Sequence, residues 1–427
     1  MVNKVSKGYK WLMLCLVGLG YTTCCMTIWM YYSYYDLMQK YFGATNTQMG
    51  YLGTITGLVM IVCWPVGGMV ADKVSMRKSF LACMAFTVVF FVILAGLKNF
   101  NVYMVMLFAS CIMMGVYYTL FGKIVKGVST PETEGKNTGY FWAIYSLGGS
   151  VIGAFGSYFV TKMGMAGWRP LMYLFIGLAV VCAVVCYFSL KEDRFNDWTQ
   201  LDTNKEKPKF EMKSVSKVLL MPEIWVASLI YFTMLMITCA GIRAVSMMGS
   251  VYMVPLGIVT FIGVFRQYIG RVILSPVSGF MIDKWGSSMK VIRLLLVITL
   301  VGMAAFFIFP VGGDYFWVGI LLVVCCTIGY GMQAPCWMTP ISEIGVPVAY
   351  HGTAIGLYNG IGCISDAFIY VLCGNWVDKY GDVKGNQISI GFICGMLVLC
   401  FVLTLVESKM IEKRRDALGR PLPLKAS

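Results

Sequence analysis

Hydrophobic residues occur along this chain in long runs that are separated by short polar segments. A helix that crosses the hydrocarbon core of a bilayer needs about 20 predominantly apolar residues. Runs of this kind lie near residues 11–35, 49–71, 79–97, 102–124, 138–161, 171–190, 224–246, 256–282, 291–309, 317–339, 353–376 and 388–406. The pattern therefore predicts twelve membrane-spanning helices.

One long polar segment, residues 191–221, divides the twelve runs into two groups of six. We predict an N-terminal six-helix bundle over residues 1–190, a cytoplasmic linker over 191–221, a C-terminal six-helix bundle over 222–406 and a cytoplasmic tail over 407–427. The first run is too long for the hydrophobic region of a cleavable signal peptide, so it is read as the first spanning helix.

The composition supports a membrane protein and not a soluble globule. Hydrophobic residues make up 59% of the chain, charged residues only 13%, and the mean hydropathy is +0.75. Soluble domains carry about 25% charged residues, so this chain has too few to cover its own surface with polar groups. The predicted fold class is an all-α membrane protein with the lipid bilayer as its main partner.

The basic residues indicate an orientation in the membrane. The net charge of +14 is compatible with nucleic acid binding, but Lys and Arg lie in short clusters between apolar runs and not on one face. With the N-terminus inside, 25 of the 34 Lys and Arg residues fall on the inner side and 7 on the outer side. The positive-inside rule then places both termini in the cytoplasm. We expect a plasma membrane location, in a bacterium the inner membrane, and no nucleic acid partner.

Several kinds of enzyme and metal site are not expected. The 16 cysteines all lie within apolar runs, and the chain has a single histidine. This pattern provides neither a disulfide framework nor the ligand spacing of a zinc site. No nucleophile–base pair and no glycine-rich phosphate loop is apparent. We therefore expect no enzyme activity, no metal and no cofactor.

A repeated segment indicates that the two halves are related. Residues 65–73 read PVGGMVADK, and residues 276–284 read PVSGFMIDK. The first segment closes the second spanning run, and the other closes the eighth run, which is the second run of the C-terminal half. Such local similarity between corresponding helices is typical of a duplicated six-helix unit.

These segments also carry a family resemblance. The pattern Gly68-x3-Asp72-Lys73-x-Ser75-x-Arg77-Lys78 resembles the loop 2–3 signature of the major facilitator superfamily, with serine where the family usually has glycine. The pattern Gly279-x3-Asp283-Lys284 resembles the degenerate copy of that signature in loop 8–9. The resemblance implies two pseudo-symmetric six-helix bundles and transport by alternating access. We expect the chain to act as a monomer.

The signature residues are expected to control conformation and not to bind substrate. Asp72 lies at the inner end of the second predicted spanning helix, where a carboxylate can pair with Arg77 or cap a neighbouring helix. The alternative is that the basic residues only anchor the inner side and the glycines only aid packing. The predicted conformational latch consists of Gly68, Asp72, Lys73, Arg77, Lys78, Gly279, Asp283 and Lys284.

Three ionisable residues, Arg266, Arg271 and Asp366, lie within spanning runs. Each costs about 2.5–3.5 kcal/mol at the centre of a spanning helix, so each needs a partner or a wet cavity. In a regular helix the two arginines lie roughly 140° apart, which places Arg271 on a polar stripe with Gln267 and Arg266 against a neighbouring helix. We predict substrate binding by all three of Arg271, Arg266 and Gln267; the alternative is a buried structural ion pair.

The charges indicate an anionic substrate and a coupling ion. Withdrawal from water disfavours the ionised form of a carboxyl group, which makes Asp366 the candidate carrier of a proton. Two arginines against one aspartate leave one positive charge, and guanidinium groups bind carboxylate or phosphate through two parallel hydrogen bonds. The arginine pattern is also weakly similar to anion-handling branches of the superfamily. The alternative for Asp366 is a permanent pair with an arginine.

Aromatic and amide residues complete the predicted site. Tyr117, Tyr145, Trp337 and Asn359 lie in different spanning runs and are candidate wall residues of a substrate cavity. The alternative is that the aromatic residues belong to the interfacial belt or to the packed core.

The predicted function is secondary-active transport of a small organic anion, carboxylate-like and coupled to a proton or another ion, by rocking of residues 1–190 against 222–406. One alternative is proton-coupled efflux of amphipathic compounds, which would have a largely apolar cavity and an unpaired Asp366. Another is a transporter-like nutrient receptor, but a linker of about 30 residues is too short to form a docking domain.

Overall fold

The computed structural model of the protein describes residues 5–129, 134–195, 220–337, 339–344 and 348–417. Within these ranges every regular element is a helix. The α-helices are α1 (Lys7–Ser33), α2 (Tyr35–Phe42), α3 (Asn46–Lys73), α4 (Met76–Gly96), α5 (Phe100–Gly127), α6 (Glu134–Met163), α7 (Trp168–Ser189), α8 (Pro222–Ser250), α9 (Leu256–Val264), α10 (Gly270–Trp285), α11 (Ser288–Ile308), α12 (Phe316–Gln333), α13 (Thr339–Ile344), α14 (Val348–Tyr380) and α15 (Asp382–Ala417).

The helices match the predicted number of spans. Ten helical stretches of the described residues are long and apolar enough to cross a membrane, and one of them, Gly139–Ser189, contains most of α6 and all of α7. Helix α3 adds 28 residues, and α9 and α10 form one continuous stretch through the turn at Phe265–Ile269. The described residues thus contain twelve long helical segments, which confirms the predicted fold class.

The outward faces of these helices are apolar, as the composition predicts. Phe188 is 72% exposed and Val105 is 69% exposed, and similar side chains lie on most of the other long helices. Soluble proteins rarely expose apolar surface of this extent, so these faces are expected to contact lipid. The protein is therefore a multi-pass membrane protein.

The chain separates into two compact units. Unit 1 comprises Met1–Ala44, Leu58–Lys207 and Leu256–Val264. In it α1 packs on α5 and α6, and α4 packs on α7. The predicted bundle over residues 1–190 accounts for most of this unit, but the unit lacks residues 45–57 and gains α9.

Unit 2 comprises Thr45–Gly57, Pro208–Pro255 and Phe265–Ser427. Its central helix is α8, which packs on α12, α14 and α15. The predicted division at 190, 221 and 406 stays a prediction, because residues 196–219 and 418–427 lie outside the described residues.

Residues 46–57 of α3 pack along α14 within unit 2. Gly50, Gly53 and Gly57 lie on one face of α3, and a Cβ atom added to Gly57 would lie 2.8 Å from the backbone nitrogen of Ala367. On the other side, Gly374 faces the backbone of Asn46. Small residues allow such close approach of helices in membranes. We call this contact, residues 46–57 against 366–378, the α3–α14 seam.

The carboxylate of Asp378 closes one end of the seam. Its two oxygens accept hydrogen bonds from the backbone nitrogens of Asn46 (2.9 Å) and Thr47 (2.7 Å). They also accept from Asn46 Nδ2 (3.0 Å) and Thr47 Oγ1 (2.6 Å). Arg243 Nη1 in turn donates to Asn46 Oδ1 at 3.2 Å. Asp378 therefore satisfies two of the free N–H groups at the N-terminus of α3, where a negative charge is also favoured by the helix dipole.

Candidate functional site

A turn of π-helix interrupts the helix that carries the two predicted arginines. It covers Phe265–Ile269, and it contains Arg266 and Gln267, both of which are buried. A π-turn holds one residue more than an α-turn, so residues five apart come closer to the same face of the helix. Such turns occur frequently at functional sites.

The π-turn changes the relation between Arg266 and Arg271. The expected separation of 140° assumed a regular helix, and the structure differs from that expectation. The guanidinium carbon of Arg266 lies 5.0 Å from the centre of the Tyr330 ring, and that of Arg271 lies 5.3 Å from the same ring. Both arginines thus face one aromatic side chain of α12, which is 3% exposed.

Arg271 makes a second aromatic contact. Its guanidinium carbon lies 4.5 Å from the centre of the Trp337 ring. Contacts of this type stabilise the guanidinium group through the face of the ring and leave the N–H groups of the arginine able to donate hydrogen bonds. Arg271 is half-buried, whereas Arg266 is completely buried. Of the two, Arg271 is therefore placed better for contact with a bound anion.

Arg266 occupies space that a glycine leaves open. A Cβ atom at Gly241 of α8 would lie 3.0 Å from Arg266 Nη1. The buried guanidinium therefore depends on a small residue at this position of α8. The guanidinium group of Arg266 also contacts the Tyr330 ring that Arg271 contacts.

The other polar residues of the predicted site differ in burial and in hydrogen bonding. Gln267 Oε1 and Trp337 Nε1 are buried and have no hydrogen-bond partner among the described residues. Asn359 is half-buried on α14. Ser275, four residues after Arg271 on α10, donates its hydroxyl hydrogen to the carbonyl of Gly331 at 2.9 Å. Ser275 therefore joins α10 to α12.

Asp366 lies on α14 at one end of the α3–α14 seam. It is half-buried, and its Oδ1 atom is buried without a hydrogen-bond partner in the described part of the chain. The predicted alternative, a permanent ion pair with an arginine, is not formed by this oxygen. The phenol of Tyr231 on α8 lies within electrostatic reach of both Asp366 and Arg271. Tyr231 therefore interacts electrostatically with both the candidate proton carrier and the candidate anion-binding arginine.

The predicted aromatic residues of unit 1 lie in a packed cluster. Tyr21 of α1 contacts the rings of five residues: Tyr117, Phe121, Phe141, Trp142 and Tyr145. Tyr117 is completely buried and donates its hydroxyl hydrogen to the carbonyl of Val17 at 3.0 Å. Tyr145 is also buried. The assignment of these two tyrosines to a substrate cavity stays a prediction.

The predicted latch is only partly described. The side chains of Gly68, Asp72, Lys73 and Asp283 lie outside the described residues. The guanidinium carbon of Arg77 lies 4.5 Å from the ring centre of Tyr187, while Lys78 and Lys284 are exposed. A Cβ atom at Gly279 would meet no described atom within 4 Å, so close helix approach does not explain this glycine here.

Sequence reasoning missed three residues of this region. Tyr330 and Tyr231 lie in long apolar runs that contain other aromatic residues, and nothing in the pattern of the chain distinguishes them. Asp378 lies just beyond the end of the run 353–376, where an acidic residue is expected to be solvated. Only the packing of α3 on α14 gives it hydrogen-bond partners.

Comparisons with known proteins agree with this architecture. A sequence model of the Major Facilitator Superfamily matches residues 17–370. The inner membrane protein YqcE of Escherichia coli (strain K12) is 21% identical over 93% of this chain and 95% of its own length. YihN, another inner membrane protein of that strain, is 23% identical over 90% of each chain.

Solved structures show the same fold. A bacterial homolog of the human lysosomal transporter Spinster, in an inward-facing and unoccupied conformation, superposes with a TM-score of 0.71. It is 15% identical, and the match covers 96% of this chain and 99% of that one.

Proposed function

Because this chain belongs to the major facilitator superfamily, we propose that it is a secondary-active transporter that carries a small organic anion together with a proton. The observation that carries the proposal is the half-buried guanidinium of Arg271, supported by the rings of Tyr330 and Trp337. A carboxylate is the substrate group that fits it best, because guanidinium and carboxylate form two parallel hydrogen bonds.

The charge balance supports an anion and not a neutral substrate. Arg266 and Arg271 face the same ring, and Asp366 is the carboxylate that the sequence places at a similar depth. If all three are ionised, one positive charge remains. A bound carboxylate neutralises it, which lowers the cost of holding these charges away from water.

Proton coupling is supported by the surroundings of Asp366. A carboxyl group with a buried oxygen and no hydrogen-bond donor is favoured in its neutral form. Substrate that approaches Arg271 also changes the electrostatic environment of Tyr231, which lies within reach of Asp366. Through Tyr231, protonation of Asp366 and binding of the anion to Arg271 can therefore influence each other electrostatically.

Proton-coupled efflux of amphipathic compounds is the second candidate. It is favoured by one observation, the unpaired Oδ1 atom of Asp366. It is disfavoured by two arginines and a buried glutamine at the same level, since an amphipathic cation would be repelled by Arg271.

Uptake into proteoliposomes distinguishes the two candidates. The purified protein is reconstituted with an inward proton gradient and offered a panel of radiolabelled mono- and dicarboxylates, phosphate esters and lipophilic cations. We expect concentrative uptake of at least one carboxylate that collapses when a protonophore is added. Movement of the lipophilic cations alone would overturn the anion assignment and favour efflux.

The orientation of the chain is a further prediction. The bias of basic residues predicts that both termini are cytoplasmic, so a reporter fused after Ser427 should be active only inside the cell. Cysteine introduced at Asp314, which is exposed in the loop before α12, should react with an impermeant reagent from outside. Labelling of that cysteine only after permeabilisation would reverse the predicted topology.

A further inference from the structure

The α3–α14 seam brings an uncharged stretch of helix directly against the candidate proton carrier. A Cβ atom at Gly57 would lie 3.2 Å from the Cβ atom of Asp366, so α3 contacts α14 closely at this level. Residues 46–57, NTQMGYLGTITG, contain no charged side chain. The part of α3 that faces Asp366 therefore supplies no positive charge to balance an ionised carboxylate.

Arg243 of α8 is buried beside the seam, but its Nη1 atom donates to Asn46 Oδ1 at the end opposite Asp366. The described groups within electrostatic reach of Asp366 carry no positive charge. From α8 the phenol of Tyr231 and the thiol of Cys239 lie within its electrostatic reach, and on α14 itself so does Cys363. Arg271 acts on Tyr231, but its guanidinium is directed to the rings of Tyr330 and Trp337. Packing α3 against an ionised Asp366 would bury an unpaired charge, which is costly, while packing it against the neutral acid is not.

From this geometry we infer that residues 46–57 of α3 pack on α14 when Asp366 is protonated and separate from it when Asp366 is ionised. The seam is then the moving part through which the proton is coupled to the conformational change of transport. The inference rests on the proposed function, which assigns the proton to Asp366, and it adds the element that responds to that proton.

Asp378 gives the closed seam its stability at the opposite end. Asp366 and Asp378 are twelve residues apart on α14; the Cβ atom of Asp366 lies against Gly57, and the carboxylate of Asp378 accepts a hydrogen bond from Asn46. The four hydrogen bonds to Asn46 and Thr47 exist only while the seam is closed. Their backbone N–H groups therefore report whether the seam is open.

Hydrogen exchange of residues 45–57, measured by mass spectrometry on the substrate-free protein in lipid nanodiscs, tests the inference. In the wild type, after correction for the intrinsic pH dependence of exchange, this segment should exchange faster at alkaline than at mildly acidic pH. In Asp366→Asn, which imitates the neutral acid, alkaline exchange should be roughly tenfold slower than in the wild type, the shift expected when one unpaired polar group no longer has to be buried. Equal or faster exchange in the variant would overturn the inference.

Three further variants make the result specific. Asp378→Ala removes the hydrogen bonds at the other end and should speed exchange at every pH. Asp366→Glu retains a titrating carboxyl group and should keep the pH response, so the test does not depend on the folding of one variant. Asp382→Asn removes an exposed carboxylate of the same unit and should behave as the wild type. A pH response that persists in Asp366→Asn would also overturn the assignment.

The measurement separates this inference from the proposed function. It uses no substrate, so the seam can respond to protonation even if the panel of anions yields no uptake. Conversely, anion uptake with a seam that is insensitive to Asp366 would leave the transport proposal intact and refute only the coupling element.

Discussion

Replacement of Arg271 by lysine is expected to weaken binding of the anionic substrate about ten- to hundredfold, the effect of losing one charged hydrogen bond. Lysine keeps the positive charge and can still lie over Tyr330 and Trp337, which Arg271 contacts at 5.3 and 4.5 Å. It cannot present two parallel N–H groups to a carboxylate, because its ammonium group is a point charge. Equilibrium binding of the best carboxylate from the uptake panel measures the loss.

The control for this substitution is Arg293→Lys, a change of the same chemistry at a half-buried arginine of α11. Its affinity should remain within a few-fold of the wild type. If Arg271 only stabilises the packing of α10 on α12, the Arg271→Lys variant should instead unfold at lower temperature and bind normally. Unchanged affinity in a well-folded variant would contradict a substrate contact.

Replacement of Asp366 by asparagine is expected to abolish accumulation of substrate driven by a pH gradient while exchange of substrate for substrate continues. Asparagine has nearly the shape of the neutral acid but cannot release a proton, so the gradient has no group to act on. Counterflow in proteoliposomes measures exchange, and uptake under an imposed gradient measures accumulation. Asp382→Asn should retain both activities.

A structural role for Asp366 would have a different outcome. If the residue mainly held helices together, Asp366→Asn should lose folding yield, and both transport activities should fall in proportion. A variant that is folded and accumulates substrate normally would refute the proton-carrying role. The Oδ1 atom has no hydrogen-bond partner among the described residues, so little stability depends on this oxygen.

Much of the fold was predictable because it follows from local properties of the chain. The length and apolarity of each run predict a spanning helix, since a helix is the only open segment that satisfies its own backbone in lipid. Phe188 and Val105 are exposed because the outward faces of such helices contact lipid and not water. The boundaries of units 1 and 2 were less predictable. Residues 45–57 belong to unit 2 and residues 256–264 to unit 1 because of the helices that they contact, and not because of their position in the sequence.

The candidate site was predictable in its charged residues and not in their arrangement. Arg266, Arg271 and Asp366 stand out in the sequence because ionisable side chains are rare within spanning helices. The positions of the two arginines relative to each other depend on the π-turn at Phe265–Ile269, which the hydrophobic pattern of α9 and α10 does not indicate. A helical projection with a constant angle per residue placed the two arginines on different faces.

The sequence by itself determined that this protein lies in a membrane, that it has twelve long helices, that its halves are related and that three ionisable residues lie within its apolar runs. These properties depend on hydrophobic length, repetition and charge, which are read one segment at a time. Only the tertiary structure decided that both arginines meet Tyr330, that Asp366 lies against Gly57, and that Asp378 caps α3. Apolar helix faces are compatible with lipid and with many neighbours alike, so the choice of neighbour is made by small residues and single hydrogen bonds when the helices pack.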